Sequence, residues 1–241
     1  VFKIMPIDNS HNKDDIMQMI QGFPAAANHQ VLLANWREPY IARWSFNHLR
    51  QLVPTAPMRP ANSPATLGTA RQNLDDLSFL DARGDCQQLG AFLAASQSDC
   101  FAVMKDGKLV YDWFGGFGAP DRQHIVFSIT KSMASLLAGV LVGTGVIDLQ
   151  RQITEYLPEL GHSAYAGATM RHLLDMQIAS GFREDYLDTD GVFMAYRRAS
   201  AWNPVEEGDR SDGLRDFLTK MPTSDAAHGT RHHYCSPHSD V

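Results

Sequence analysis

The sequence has few cysteines and no long apolar run. Its 241 residues include only Cys86, Cys100 and Cys235, which are too few and too scattered for the disulfide framework of a small secreted domain. A Cys86–Cys100 bridge is conceivable, but free buried thiols are the expectation. The best apolar stretch, residues 133–142, is well short of the roughly 18 residues that a membrane span needs. We therefore expect no membrane partner.

Positive charge is also scarce. The net charge is −6, and charges of one sign form only short clusters, so the sequence shows no basic face for nucleic acid. No internal repeat or low-complexity tract is present. The first residues show no signal-peptide pattern, which favours the cytoplasm, but the chain also lacks an initiator methionine. The compartment therefore stays open, as does homodimer formation.

The composition is that of a globular chain, with 44% hydrophobic and 20% charged residues. Prolines recur through residues 1–75, and we interpret this segment as a lead-in that packs on a larger body. Residues 76–127 are predicted to hold the first strands of an α/β region. Residues 128–241 are predicted to hold a long helix followed by helices and loops.

A hairpin is the clearest local prediction. Two β-rich runs, residues 101–104 and 109–113, flank the sequence Lys-Asp-Gly-Lys. An Asp-Gly pair between two such runs is typical of a tight hairpin turn.

Residues 128–142 are predicted to form a helix that ends at Gly143 and Gly145. Apolar side chains lie on most sides of it, which is typical of a buried helix. Shorter helices are predicted at residues 89–96, 169–176 and 214–219.

Ser128 and Lys131 at the start of the long helix form a Ser-x-x-Lys pattern. Three residues are nearly one helical turn, so the lysine ammonium and the serine hydroxyl share a face. A serine hydroxyl needs such a neighbour to act as a nucleophile. The same pattern recurs at Ser10 and Lys13, in a polar stretch with no apolar helix behind it, and we assign no role to that copy.

Several blocks resemble the serine β-lactamase-related, penicillin-recognising hydrolase family. They are residues 127–132, 141–149, 153–160, 169–176 and Ser180-Gly181. As a series they are most similar to the branch of class C β-lactamases, family VIII carboxylesterases and 6-aminohexanoate-dimer hydrolases. The resemblance runs from about residue 21 to residue 241. It implies an α+β, β-lactamase/transpeptidase-like fold, with an antiparallel sheet flanked by helices and a separate helical region.

The resemblance also implies roles for individual residues. Ser128 is the nucleophile, and Lys131 stands beside it. Tyr234, in Tyr-Cys-Ser, matches the family's Tyr-x-Ser motif and becomes the general base or proton shuttle, with Ser236 as a hydrogen-bonding neighbour that contacts the substrate. Tyr186 lies in a loop similar to one of the nylon-oligomer hydrolases, in which a tyrosine reaches over the scissile amide. A strand-end tyrosine and a charged surface loop are the structural alternatives for these two positions.

A cluster of histidines with one cysteine has residue types that suit zinc. Its members are His228, His232, His233, Cys235 and His238. Their spacing matches no familiar zinc site and lacks the glutamate of a His-Glu-x-x-His helix. We therefore expect local loop contacts, no metal and no cofactor.

The family's third motif, Lys-Thr-Gly or an equivalent on the central sheet, would follow the tyrosine motif, but the sequence ends five residues after Ser236. The strand that carries a second oxyanion donor is therefore outside this sequence. We expect the missing C-terminal strands to belong to the same protein. They could also be present as a separate chain.

The sequence thus predicts a serine hydrolase that acts through an acyl-enzyme on a small amide or ester, most similar to a 6-aminohexanoate oligomer. A carboxylesterase or a β-lactamase of the same family is the first alternative. A non-catalytic binding or scaffold relative is the second, although the complete Ser, Lys and Tyr set argues against it.

The two Ser-x-x-Lys copies give a direct test. Ser128→Ala should abolish hydrolysis of an activated p-nitrophenyl ester, and Lys131→Ala should come close to doing so. When residues act as one catalytic unit, replacing any one of them removes nearly all of the activity. Ser10→Ala is the matched control and should leave the rate unchanged. Retention of most activity by Ser128→Ala would require a different nucleophile.

Overall fold

The computed structural model describes residues 17–59, 62–63, 66–205, 208 and 213–241. The chain divides into two compact units, Val1–Ile125 and Val126–Val241. The second Ser-x-x-Lys copy, Ser10 and Lys13, lies outside the described residues. The division into 1–75, 76–127 and 128–241 stays a prediction.

The first unit combines short helices with two small sheets. Its helices are α1 (Pro39–Ser45) and α2 (Leu89–Ala95), with 3-10 turns at Ala27–His29 and Leu49–Gln51. Its strands are β1 (Gly68–Thr69), β2 (Ser78–Leu80), β3 (Cys86–Gln88), β4 (Cys100–Lys105) and β5 (Lys108–Phe114). β2 and β3 form a two-stranded sheet, and the other three strands form a sheet in the order β1-β5-β4.

The predicted hairpin is confirmed as β4 and β5. The two strands pair antiparallel from Cys100 opposite Phe114 to Lys105 opposite Lys108, with one register shift after Val103. Asp106 and Gly107 both have positive φ, 51° and 72°. Aspartate and glycine are among the residues that tolerate this backbone region best, and two such residues in succession form the turn that matches strand twist.

β5 lies in the centre of its sheet, and β1 pairs with its other side in parallel. β4 is therefore an edge strand among the described residues. One face of the hairpin packs on α2 through a core of Leu89, Leu93 and Tyr111. Trp36 and Trp44 in the lead-in are also buried, so apolar aromatic burial fixes this segment to its unit.

The second unit is largely helical. Its helices are α3 (Ile129–Gly143), α4 (Ile153–Tyr156), α5 (Met170–Leu174), α6 (Val192–Ala199) and α7 (Leu214–Thr219), with 3-10 turns at Pro158–His162 and Ser236–Ser239. Thr169 caps α5, since its hydroxyl accepts from the His172 N–H. Such a cap satisfies one of the free N–H groups at a helix start.

The core of the second unit is assembled from residues after 152. Ile153, Tyr165, Ile178 and Phe182 lie at its centre and are at most 1% exposed. The Phe182 ring makes edge contacts with the rings of Phe193, Tyr196 and Phe217. Apolar burial of this kind is the main free energy that holds the unit together.

Two burial predictions are wrong. Helix α3 has no buried residue, and its apolar side chains Met133, Leu136, Leu137 and Val140 are 60–67% exposed. The composition of α3 suits burial, but the core of its own unit is formed by later residues. The cysteines are all free, and two of the three are exposed, since only Cys235 is buried. Among the described residues, no helix combines the length and apolarity needed to cross a bilayer.

The core makes a quantitative prediction. Leu160 is 2% exposed, whereas Leu187 in the same unit is 91% exposed. Leu160→Ala should lower the free energy of unfolding by about 2–5 kcal/mol because it leaves a cavity. The control Leu187→Ala should change it by less than about 0.5 kcal/mol. Urea unfolding of both variants measures this, and equal effects would contradict the described core.

Candidate active site

Ser128 occupies the position just before α3, the longest helix of the second unit. The residue before it, Phe127, has φ of 42°, a left-handed conformation that is costly for a bulky side chain and is often found at functional sites. The Phe127 ring stacks on Trp202, with the ring centroids 6.0 Å apart. That packing holds the backbone that presents Ser128.

The Ser128 hydroxyl does not cap its helix. A serine before a helix usually accepts a hydrogen bond from a backbone N–H in the first turn, but the Ser128 side chain makes no such bond. Instead, Oγ accepts hydrogen bonds from the Lys131 Nζ at 3.2 Å and from the Tyr234 hydroxyl at 2.7 Å. The hydroxyl therefore faces two groups that can exchange a proton.

Lys131 completes a triangle with the other two side chains. Its Nζ lies 5.5 Å from the centre of the Tyr234 ring. The Lys131 side chain therefore contacts both Ser128 and Tyr234. The structure thus brings together the three residues that the sequence nominated for catalysis, on a surface where Ser128 and Tyr234 are exposed.

Backbone hydrogen bonds fix the segment that carries Tyr234. The His233 N–H donates to the Met176 carbonyl at 2.7 Å, and the Gly229 N–H donates to the Gln177 carbonyl at 2.9 Å. Cys235, next to Tyr234, is fully buried. Tyr234 therefore projects from a segment that is held on both sides.

Tyr186 lies on an exposed loop, and its side chain is not free. The ring packs against Phe193 at 4.9 Å and lies beneath the Arg197 guanidinium at 5.2 Å. The Tyr186 hydroxyl donates to Glu184 Oε1 at 2.5 Å. Partial burial of the ring, and then this hydrogen bond, raise the pKa of Tyr186 above its ordinary value. Tyr186 is therefore a neutral hydroxyl donor.

Ser236 is buried, with its hydroxyl directed at the same carboxylate. Its Oγ donates to Glu184 Oε1 at 3.0 Å, and its backbone N–H donates to Glu184 Oε2 at 2.9 Å. The sequence nominated Ser236 and Tyr186 as substrate-binding residues, and these roles stay predictions. Glu184 was missed because its partner is 52 residues away and no local pattern indicates such a contact.

Two histidines of the histidine and cysteine cluster contact residues far away in the sequence, so the expectation of local loop contacts is wrong for them. His228 Nδ1 accepts from the Ala179 N–H at 3.0 Å, which leaves Nε2 to donate to the Ala166 carbonyl at 3.1 Å. His238 is 2% exposed, with its Nδ1 3.3 Å from the Tyr165 hydroxyl. The part of the chain that the structure describes contains no group of three or more His, Cys, Asp or Glu side chains placed to hold a metal ion.

A cavity of about 490 Å³ lies elsewhere in this unit, between residues 177–183 and residues 224–233. Its lining includes Arg183, Arg231 and His233 but none of Ser128, Lys131 and Tyr234. We place the candidate site at the three interacting side chains, because the chemistry needs those contacts and the cavity does not contain them.

Comparisons with known proteins identify the family and the fold. The model of the family described as Beta-lactamase matches residues 86–241. A 6-aminohexanoate-dimer hydrolase of Paenarthrobacter ureafaciens is 32% identical over 219 residues, which cover 91% of this chain and 54% of that protein. A solved structure from Bacillus anthracis, provisionally described as a 6-aminohexanoate-dimer hydrolase, superposes with a TM-score of 0.78 at 23% identity and covers 89% of this chain and 56% of its own.

These similarities confirm the predicted α+β, β-lactamase-like fold. The chain spans about half the length of the relatives that it matches. The roles of Ser128, Lys131 and Tyr234 in catalysis stay predictions, and the structure shows the contacts between them.

The buried histidine makes stability depend on pH. Burial, and then the neighbouring His233 and His228, lower the pKa of His238 from 6.5 to about 4. The unfolded chain therefore takes up this proton at a higher pH than the folded chain does. The stability that the folded chain gains from a neutral, buried His238 imidazole is fully present above pH 6.5. It is lost as the pH falls towards 4, by roughly 3 kcal/mol.

Urea unfolding between pH 7 and 4 should show a shallower loss of stability in His238→Phe than in the wild type. His162→Gln, a change at an exposed histidine, should keep the wild-type slope. The same slope in His238→Phe and the wild type would contradict the inferred burial of a neutral imidazole.

Proposed function

Because this chain belongs to the beta-lactamase family, whose model spans residues 86–241, we propose that it is a serine hydrolase that forms an acyl-enzyme at Ser128. One observation carries the proposal. The Ser128 Oγ lies 2.7 Å from the Tyr234 hydroxyl and 3.2 Å from the Lys131 Nζ. A serine becomes nucleophilic when groups that can accept and hold its proton stand within hydrogen-bond distance.

In the first half-reaction, the Ser128 Oγ bonds to the carbonyl carbon of an amide or ester. Its proton passes to the Tyr234 oxygen, which acts as a proton shuttle with the Lys131 side chain beside it. The bond from the carbonyl carbon to the leaving nitrogen or oxygen then breaks, and the leaving group takes up the proton. The Ser128 N–H supplies one hydrogen bond to the oxyanion.

In the second half-reaction, water attacks the acyl-enzyme ester. Tyr234 takes a proton from this water, and the Ser128 Oγ leaves as the hydroxyl after recovering a proton. The products are a carboxylic acid and the free enzyme, and the balance needs no oxidant, reductant or cofactor. Residues that switch between base and acid in this way are typical of acyl transfer.

The proposed substrate is a small linear amide or ester, with an oligomer similar to 6-aminohexanoate dimer as the first candidate. The similarity to a protein named 6-aminohexanoate-dimer hydrolase supports this choice. The exposed position of Ser128 and Tyr234 also suits a flexible linear substrate. Hydrolysis of aminohexanoate dimer should be faster than hydrolysis of nitrocefin, with p-nitrophenyl esters as the reference. Faster nitrocefin hydrolysis would instead favour a β-lactamase.

Covalent labelling tests the proposed nucleophile. A fluorescent alkyl phosphonate should label the wild-type protein on Ser128, as located by mass spectrometry, and should not label Ser128→Ala. Labelling of neither protein, or of both equally, would contradict the proposed function.

The role of Tyr234 is tested by removing one oxygen atom. Tyr234→Phe should lower kcat for an ester by about 100- to 10,000-fold, the range expected for loss of a general acid–base group. The control is Tyr156→Phe, since the Tyr156 hydroxyl accepts a hydrogen bond from the Asp148 N–H and has no contact with Ser128. Equal rates for the two variants would refute the assigned proton transfer.

A further inference from the structure

One carboxylate joins the two loops that carry the tyrosines of the site. Glu184 Oε1 accepts hydrogen bonds from the Tyr186 hydroxyl at 2.5 Å and from the Ser236 Oγ at 3.0 Å. Its other oxygen, Oε2, accepts from the Ser236 backbone N–H at 2.9 Å. Both oxygens of a single side chain therefore connect residues 184–186 to the Tyr-Cys-Ser motif.

The arrangement requires a carboxylate. An ionised carboxylate has acceptor sites on both oxygens and no donor, so it can receive three N–H and O–H groups at once. A glutamine of the same shape would place its amide NH2 group, which is a donor, against one of these donors. The three hydrogen bonds of Glu184 are the contacts that fix this side chain.

Ser236 is two residues beyond Tyr234, and the residue between them, Cys235, is fully buried. On the other side of Tyr234, the His233 N–H is bonded to the Met176 carbonyl. The peptide segment that presents Tyr234 is thus fixed by a backbone bond before it and by Glu184 after it. Loss of the second anchor would let the Tyr234 hydroxyl move from its 2.7 Å contact with Ser128 Oγ.

We infer that Glu184 is a positioning residue for proton transfer, which holds Tyr234 against Ser128 through Ser236 and holds Tyr186 on the same carboxylate. The inference rests on the proposed function and deepens it. Glu184 acts through the motif and does not contact the reacting atoms. A displacement of about 1 Å in a reacting group can cost a factor of roughly 100 in rate, which sets the size of the expected effect.

The test is the rate of phosphonate labelling at Ser128 in four proteins. Glu184→Gln should react about 100-fold more slowly than the wild type, with a shifted pH profile for the reaction. The matched control is Asp185→Asn, which removes the neighbouring acid. Among the described residues, the Asp185 side chain accepts a hydrogen bond from the Leu187 N–H alone, so this variant should label at the wild-type rate. Ser236→Ala loses the hydrogen bond from Oγ to Glu184 but keeps the one from its backbone N–H. Its labelling rate should lie between those of the wild type and Glu184→Gln.

A double-mutant cycle separates positioning from a general loss of structure. If Glu184 acts through Tyr234, adding Glu184→Gln to Tyr234→Phe should slow labelling by no more than about twofold, because the two changes remove the same contribution. A structural defect would instead lower the rate by the same factor in both backgrounds, and that result would overturn the inference. Thermal unfolding of each variant shows whether the compared proteins are folded. Combining Ser236→Ala with Tyr234→Phe gives a second cycle, in which a single hydrogen bond to Glu184 is removed.

The outcomes distinguish this inference from the proposed function. Normal labelling of the wild type with an equal rate in Glu184→Gln would overturn the positioning role and leave the proposed function intact. A wild-type protein that the phosphonate does not label would overturn the proposed function itself.

Discussion

The contact between the Tyr234 hydroxyl and the Ser128 Oγ is the interaction on which the site depends. It joins residues 106 positions apart in the chain at 2.7 Å. Neither residue is held by the contact itself, because a single exposed hydrogen bond contributes only about 1 kcal/mol. The distance is instead set by the core of the second unit, by the backbone bonds of residues 229 and 233 and by the Glu184 carboxylate.

In the second unit, the residues that form the core and the residues proposed for catalysis are therefore different. Its buried side chains, with Phe182 and Tyr165 among them, make a rigid support. The groups proposed for chemistry project from that support into solvent, where a substrate can reach them. Their positions are therefore determined mainly by residues that take no part in the proposed reaction.

Local sequence signals predicted local structure well. The Asp-Gly pair located the β4–β5 turn because only a few residue types accept two successive positive φ angles. The pattern of Ser128 and Lys131 placed both side chains on one face because helical geometry fixes that spacing. Tyr234 was found by family resemblance, since no local rule connects it to Ser128.

The remaining features depend on contacts that a sequence read locally does not contain. Glu184 was missed because its hydrogen bonds reach Ser236, far along the chain. The burial of α3 was predicted wrongly because apolar composition shows which surface could be buried and not which residues are available to cover it. The exposed Cys86 and Cys100 were mispredicted for the same reason.

The left-handed backbone at Phe127 places two opposing demands on one position. A glycine would relax the backbone, since it adopts positive φ without steric cost, but it would lose the stacking of the ring on Trp202 and make the loop more flexible before folding. A β-branched residue would fit neither the backbone nor the stack. The tolerance for substitution next to the proposed nucleophile is therefore narrow.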